Sequence, residues 1–300
     1  RAEDKKDFVG WLELPTKYDK KEFEKVKKVA AALAGIGVKE QENVATYTQN
    51  KPEGLIVDFA AYANRAVMVP LYATSSVAQI EYILKEAEVK VLFVGEQFQY
   101  DNAFEAMKNC PDLRQLIVFD RNVKLHADDK TSVYFDDFET SGQTPANYTL
   151  VETRTAQARD EDLCTIIYTS GTTGEPKGVM LDHANFMEAM RMHDERLITV
   201  TDQDVSLCFL PLTHIFERAW TYFCFYKGMR VDINLHPQEI QKTIREVRPT
   251  ILCSVPRFWE KVYVAVQEKI SSAKGIQRKL MLEALKVGKR YNLDYARLDK

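Results

Sequence analysis

One run constrains this chain more than any other: Thr165-Ile166-Ile167-Tyr168-Thr169-Ser170-Gly171-Thr172-Thr173-Gly174-Glu175-Pro176-Lys177-Gly178-Val179. Its apolar beginning reads as the end of a buried strand. Four hydroxyl residues and two glycines then fill the six positions from Thr169 to Gly174. Pro176, Lys177 and Gly178 follow, and Val179-Met180-Leu181 starts a second apolar run. The pattern predicts a polar, permissive hairpin between two buried strands. Glycine allows positive φ and close ligand approach. Successive backbone N–H groups in such a turn form an anion nest. The hydroxyls of Thr169, Ser170, Thr172 and Thr173 add donors, and Lys177 adds a positive charge, which suits a polyphosphate. By composition alone, a plain Ser/Thr/Gly surface loop is the better reading, and it is the spacing that shifts the weight. The run is not a P-loop, because Pro176 stands where G-x-x-x-x-G-K-[ST] needs its second glycine.

Around this run the chain alternates strand-like and helix-like segments. Asp19 and Glu22 have the spacing of a capping box, and Phe23, Val26, Ala30 and Leu33 share the following helical face, with Gly35 as its stop. Asn43 to Thr48 reads as a strand, and Asn50-Lys51-Pro52 opens a helix. Strands over Val67–Tyr72, Val89–Val94 and Leu116–Phe119 alternate with helices from Ser76 and over Tyr100–Lys108. Residues 1–18 read as a strand or hairpin around Phe8-Val9-Gly10-Trp11-Leu12. Strands separated by helices argue for βαβ units. The expected class is α/β, with mostly parallel sheets flanked by helices.

Between Arg121 and Asp162 the pattern lapses, and only Val133-Tyr134-Phe135 looks strand-like. We read a first α/β subdomain over 1–120, a connector over 121–162, and a second α/β subdomain over 163–300 that carries the loop. Asp136 and Asp137 fit a solvated connector better than a cation site. Asp182 is the expected N-cap of the next helix, where His193 packs. Further on, a strand ends at Pro211, and His214 sits on the emerging turn, where α/β sheets place ligands. A histidine simply hydrogen-bonded inside the fold is the plainer reading of that position. Trp259, Tyr263, Val266 and Ile270 are spaced for the core face of a late helix, and Arg257 reads equally as a substrate contact or a structural cap.

A net charge of −3 gives no electrostatic reason to expect nucleic acid as a partner. Five scattered cysteines without C-x-x-C spacing read as buried thiols of a reducing, cytoplasmic setting. No apolar run approaches the ~20 residues of a membrane span.

Three stretches carry a family resemblance. Tyr168 to Gly178 resembles, position for position, the phosphate-binding signature Y-T-S-G-T-T-G-x-P-K-G of adenylate-forming enzymes: acyl-CoA synthetases, luciferases and adenylation domains. L-P-L-T-H-I-F-E-R (Leu210–Arg218) and R-P-T-x-x-x-x-V-P-R-x-W-E-K (Arg248–Lys261) resemble motifs of long-chain fatty-acid–CoA ligases. The resemblance runs from about Asp19 to Tyr291. It implies an incomplete N-terminal domain of such an enzyme, closest to bacterial long-chain fatty-acid–CoA ligases. The implied ligands are ATP, Mg²⁺, a long-chain fatty acid and coenzyme A.

It further implies that Thr169, Ser170, Gly171, Thr172, Thr173, Gly174 and Lys177 bind nucleotide phosphates. Thr169 would help hold Mg²⁺, and Lys177 and His214 would act in catalysis, His214 placing the carboxylate. Glu217 and Arg218 are expected as an ion pair near the site, and Trp220 is a tunnel-gate candidate by residue type. The family's Y-G-x-T-E, T-G-D, hinge motif and terminal catalytic lysine do not occur in these 300 residues. The expectation is therefore a fragment not competent alone, with a phosphate loop disordered until ligand binds. Transient membrane contact and oligomeric state stay open. Two further readings remain: an adenylation module for another carboxylate, and a non-catalytic nucleotide-binding or interaction domain.

Overall fold

The structure is a computed structural model, and it describes residues 20–169 and 175–298. The expected strand or hairpin before residue 18, the Asp19 cap and the state of Ser170–Gly174 lie outside the described residues.

Two compact units divide the chain, one running to Cys253 and one from Ser254 to Lys300. In the first, α1 (Lys20–Gly35), β1 (Asn43–Tyr47), α2 (Pro52–Ala63), β2 (Val67–Leu71), α3 (Val77–Glu86), β3 (Val91–Val94), α4 (Gln97–Met107) and β4 (Gln115–Val118) alternate as the pattern requires. Ser76 caps α3 through a full capping box with Gln79, satisfying amides the helix itself leaves open.

The 121–162 stretch carries more structure than a connector: β5 (Val133–Tyr134), α5 (Phe135–Ser141) and α6 (Pro145–Ala156). Helix α6 begins with Thr144 accepting from the Asn147 N–H and Pro145 in the first turn. Asp136 and Asp137 pair with Arg121 at 3.6 and 2.5 Å.

Then come β6 (Leu163–Thr169) and β7 (Lys177–Asp182), the hairpin strands, and α7 (His183–Arg196), capped by Asp182 as expected. On α7, His193 packs on Phe223, with 5.2 Å between ring centroids.

Among the described residues one sheet has seven strands in the order β5-β4-β3-β1-β2-β6-β7. All pairs are parallel except the antiparallel β6–β7. Helices on both faces explain why β2 and β3 are buried throughout. Val91 and Phe93 belong to one core cluster, and Leu92 and Val94 to the other. All five cysteines are free and buried.

A second sheet pairs β8 (Val205–Cys208) with β9 (Arg230–Ile233), in parallel. Helix α8 (Ile215–Lys227) joins them, and α9 (Ile240–Val247) follows. The Thr250 hydroxyl accepts from the Val205 N–H at 2.9 Å and donates to Asp204 at 2.7 Å, so the third motif staples the start of β8.

The second unit holds α10 (Pro256–Ser272) and α11 (Gly275–Leu298). The expected core face of α10 is corrected here. Ile270 is buried, but Trp259, Tyr263 and Val266 are 54%, 65% and 39% exposed. Helical spacing reports that a face is apolar; it does not report what covers it.

Candidate functional site

The site candidates fall in two places. The first is the open end of the β6–β7 hairpin. Backbone register sets Thr169 opposite Lys177 and Tyr168 opposite Gly178, and both Thr169 and Lys177 are exposed. A hydroxyl and an ammonium thus flank the entrance to Ser170, Gly171, Thr172, Thr173 and Gly174, which lie outside the described residues. A hydroxyl oxygen ligates Mg²⁺, and an ammonium pairs with phosphate, so the chemistry of this donor set fits a metal-bound polyphosphate. Gly178 is needed for packing: a Cβ there would lie 2.7 Å from Ile166 Cγ2.

The expectation of two buried strands holds for β6 only. Val179 and Met180 on β7 are 45% and 68% exposed. β7 ends the described sheet, so only β6 pairs with it.

The second place is the turn from Phe209 to His214, between β8 and α8. His214 is the N-cap of α8, and its Nδ1 accepts the Phe216 N–H at 3.2 Å. An accepting Nδ1 puts the proton of the neutral ring on Nε2. The ring is exposed, so this N–H can donate to a carboxylate or phosphate oxygen.

Side chains from distant elements hold the turn. Asn50 Nδ2 donates to the Leu210 carbonyl at 2.7 Å, and Asn50 Oδ1 accepts from the Leu212 N–H at 3.0 Å. Glu217 accepts from the Leu210 N–H at 3.1 Å. Arg218 Nε donates to the Leu212 carbonyl at 2.9 Å. Both backbone polar groups of Leu210 and of Leu212 are thereby partnered without secondary structure, as groups drawn partly out of water demand.

Arg218 is anchored in turn. Its Nη1 donates to Asp58 Oδ2 at 2.6 Å and to the Tyr222 hydroxyl at 2.8 Å. The expected Glu217–Arg218 ion pair is therefore corrected. Adjacent helical positions do not face each other, and the partner of Arg218 is Asp58 on α2. Burial raises the Asp58 carboxyl, and Arg218 opposes that rise. The guanidinium stays charged in proteins, and at 2.6 Å it favours the carboxylate form of Asp58. Glu217, buried with no cation against it among the described residues, is pushed up to about 7 by desolvation.

Trp220 is also buried, with its indole N–H donating to Ser206 Oγ at 2.9 Å. That bond fixes the indole within the core.

Between the two sheets' strand ends lies a cleft of about 110 Å³. Thr48 and Asn50 enter it after β1, Tyr72 and Thr74 after β2, Thr213 after β8 and Asn234 after β9. Four parallel strands thus deliver their carboxyl ends to one place, the usual ligand position in α/β sheets. None of the described residues to which the resemblance assigned a binding or catalytic role lines this cleft, but Pro211 and Thr213 of the Leu210–Arg218 motif do. Asn50 and Asp58 gave no local signal, because their partners lie some 160 residues away.

Comparison with known proteins matches the "AMP-binding enzyme" family over residues 21–291. Long chain acyl-CoA synthetase 3 of Arabidopsis thaliana is 32% identical over 269 residues, covering 86% of this chain and 40% of that protein. Fatty acyl-CoA synthetase A of Dictyostelium discoideum is 31% identical, covering 78% of this chain and 35% of that protein. The chain thus spans about two fifths of the curated relatives it matches. Among solved structures, the anthranilate CoA ligase AuaEII with anthranoyl-AMP superposes at a TM-score of 0.70 and 23% identity, over 81% of this chain and 48% of that one. The long-chain-fatty-acid-CoA ligase FadD1 of Archaeoglobus fulgidus superposes at 0.64 and 20%, over 79% and 45%.

Proposed function

This chain belongs to the AMP-binding enzyme family, and on that footing we propose that it is part of an ATP-dependent, AMP-forming long-chain fatty-acid–CoA ligase. In the proposed reaction a fatty-acid carboxylate attacks the α-phosphate of ATP, giving an acyl-adenylate and pyrophosphate. The thiol of coenzyme A then attacks the acyl carbon, forming the thioester and releasing AMP.

The observation that carries the reading is the register of Thr169 against Lys177 at the mouth of the hydroxyl- and glycine-rich loop. In this reading the loop amides and the hydroxyls of Thr169, Ser170, Thr172 and Thr173 hold the departing phosphates. Gly171 and Gly174 let the backbone close on them, and Lys177 neutralises their charge. Thr169 would help hold Mg²⁺, which would supply further neutralisation of the phosphate oxygens. His214 would place the fatty-acid carboxylate through its Nε2–H. The long-chain preference rests on relatives such as long chain acyl-CoA synthetase 3. Among the described residues no helix is long and apolar enough to cross a membrane. Peripheral membrane contact remains part of the proposal, because the substrate is a lipid.

The test is fatty-acid-dependent release of pyrophosphate from ATP by the full-length gene product, followed by CoA-dependent release of AMP. Turnover with long-chain fatty acids and none with aryl or amino acids is expected. Turnover restricted to aryl or amino acids would make it an adenylation enzyme for another carboxylate, and no heat on titrating MgATP would make it a non-catalytic module. The 300 residues assayed alone are expected to give no turnover.

A further inference from the structure

Three side chains grip the turn before His214, and they come from different places. Glu217 and Arg218 belong to α8, the helix that the turn itself begins. Asn50 comes from the other sheet's side, three residues past the end of β1. The backbone leading to it is held in place. The Gly95 N–H donates to the Tyr47 carbonyl at 3.0 Å. A Cβ on Gly95 would lie 2.5 Å from the Thr48 hydroxyl, so Thr48 packs on bare backbone. Strand β1 pairs with β2, and β2 with β6, whose last residue is Thr169. Asn50 therefore stands on the sheet that carries the hairpin mouth, while the turn it grips belongs to β8 and α8.

Asn50 borders the cleft, yet its amide is engaged by the protein. Its Nδ2 donates to the Leu210 carbonyl at 2.7 Å and to Cys208 Sγ at 3.6 Å, and its Oδ1 accepts from the Leu212 N–H at 3.0 Å. The Leu210 and Leu212 groups bracket Pro211, which has no N–H of its own. The Pro211 carbonyl accepts from the His214 N–H at 3.0 Å. One backbone bond thus separates His214 from the residue that Asn50 brackets. A short amide offers a donor and an acceptor side by side; aspartate has the same shape without the donor, and alanine has neither.

We infer that Asn50 is a positioning residue of the ligase reaction. It sets where the His214 ring stands relative to Thr169 and Lys177, and so where a carboxylate held by the His214 Nε2–H meets the α-phosphate. Glu217 fixes the turn to its own helix, and Arg218 reaches the first sheet's side only through Asp58 on α2. Asn50 reaches the turn in one step. The inference rests on the proposed ligase reading and adds to it a residue that acts through the turn without touching substrate.

A double-mutant cycle in the full-length gene product tests it, read by acid-dependent pyrophosphate release. Asn50→Ala lowers stability as well, so the cycle has to separate the two effects. The variant is expected to lower kcat/KM for the carboxylate substrate about tenfold or more, because small misplacements of a reacting group are costly, and to leave KM for ATP within about twofold. In a His214→Ala background the same change is expected to cost less than about twofold, since no ring remains to be misplaced. A merely structural role would cost the same factor in both backgrounds. That result, a raised KM for ATP, or full activity of Asn50→Ala overturns the inference. Where Asn50→Ala does not fold, Asn50→Asp takes its place in the cycle, keeping the acceptor for Leu212 and losing the donor to Leu210. Where His214→Ala shows no turnover, affinity for the carboxylate by calorimetry is compared across the same four proteins. A parent that releases no pyrophosphate with any carboxylate would overturn the ligase reading and this inference with it, whereas His214→Ala as active as the parent would overturn this inference alone.

Discussion

The two halves of the candidate site are built in opposite ways. The turn before His214 is fixed from behind by half-buried Asn50 and by the buried Glu217 and Asp58–Arg218 pair. The hairpin mouth presents Thr169 and Lys177 on exposed strand ends, beside a β7 whose Val179 and Met180 face outward. One half is preorganised by long-range side-chain bonds. The other carries its chemistry in the residues themselves and draws its backbone geometry from a single neighbouring strand. Substitutions should therefore change stability in the first half and binding in the second.

The largest effect is expected at Arg218. Arg218→Met leaves the Asp58 carboxylate buried beside no cation, a change that typically costs about 3–5 kcal/mol. Chemical denaturation measures it, and a loss below about 1 kcal/mol would mean that this pair does not hold the turn. Combining it with Asp58→Leu is expected to recover part of the loss, since a missing charge pair costs less than a broken one.

Next is Glu217, whose effect depends on pH. Its folded pKa of about 7 lies above the ordinary 4.5. Its contribution is therefore fully present below pH 4.5 and is lost as the pH rises to 7. His183 opposes it: burial lowers this imidazole to about 4, so stability falls as the pH drops from 6.5 toward 4. In the parent these slopes run against each other. Glu217→Gln removes one of them. The variant should gain up to about 3 kcal/mol over the parent above pH 7, gain nothing below pH 4.5, and show the His183 slope without the opposing slope of Glu217. Melting curves from pH 4 to 8 check this, and an unchanged profile would place Glu217 in contact with water.

Smaller effects belong to the hairpin. Gly178→Ala puts a methyl group 2.7 Å from Ile166 Cγ2 and 3.2 Å from the Tyr168 ring, and is expected to cost about 1 kcal/mol. Lys177→Met should change stability by less than about 0.5 kcal/mol, the usual range for an exposed site. In the full-length protein the same change should slow pyrophosphate release a hundredfold or more, as losing one preorganised donor to a developing charge does. A large stability loss from Lys177→Met would break the contrast between the two halves.

Residues close together in sequence were the legible ones. The Ser76 and Asp182 caps, the strand–helix alternation and the β6–β7 pairing all depend on neighbours within a few positions. Helix α6 had such a signal too, in Thr144-Pro145, but the polar composition of 121–162 masked it. The Glu217–Arg218 pair does not form because adjacency in sequence on a helix is not adjacency in space. Asn50 looked like nothing more than a residue ahead of a helix. The apolar stripe of α10 was visible, whereas its exposure was not.

By itself the sequence determined the α/β class, the pairing of β6 with β7 and the position of His214 after a strand, because these follow from periodicity and residue type over short spans. Tertiary structure alone decided which carboxylate meets Arg218, which amide seizes both ends of the turn, and which strand is left at the edge. Those outcomes depend on groups about 160 residues apart being desolvated together, and desolvation is a property of packing that no local pattern encodes.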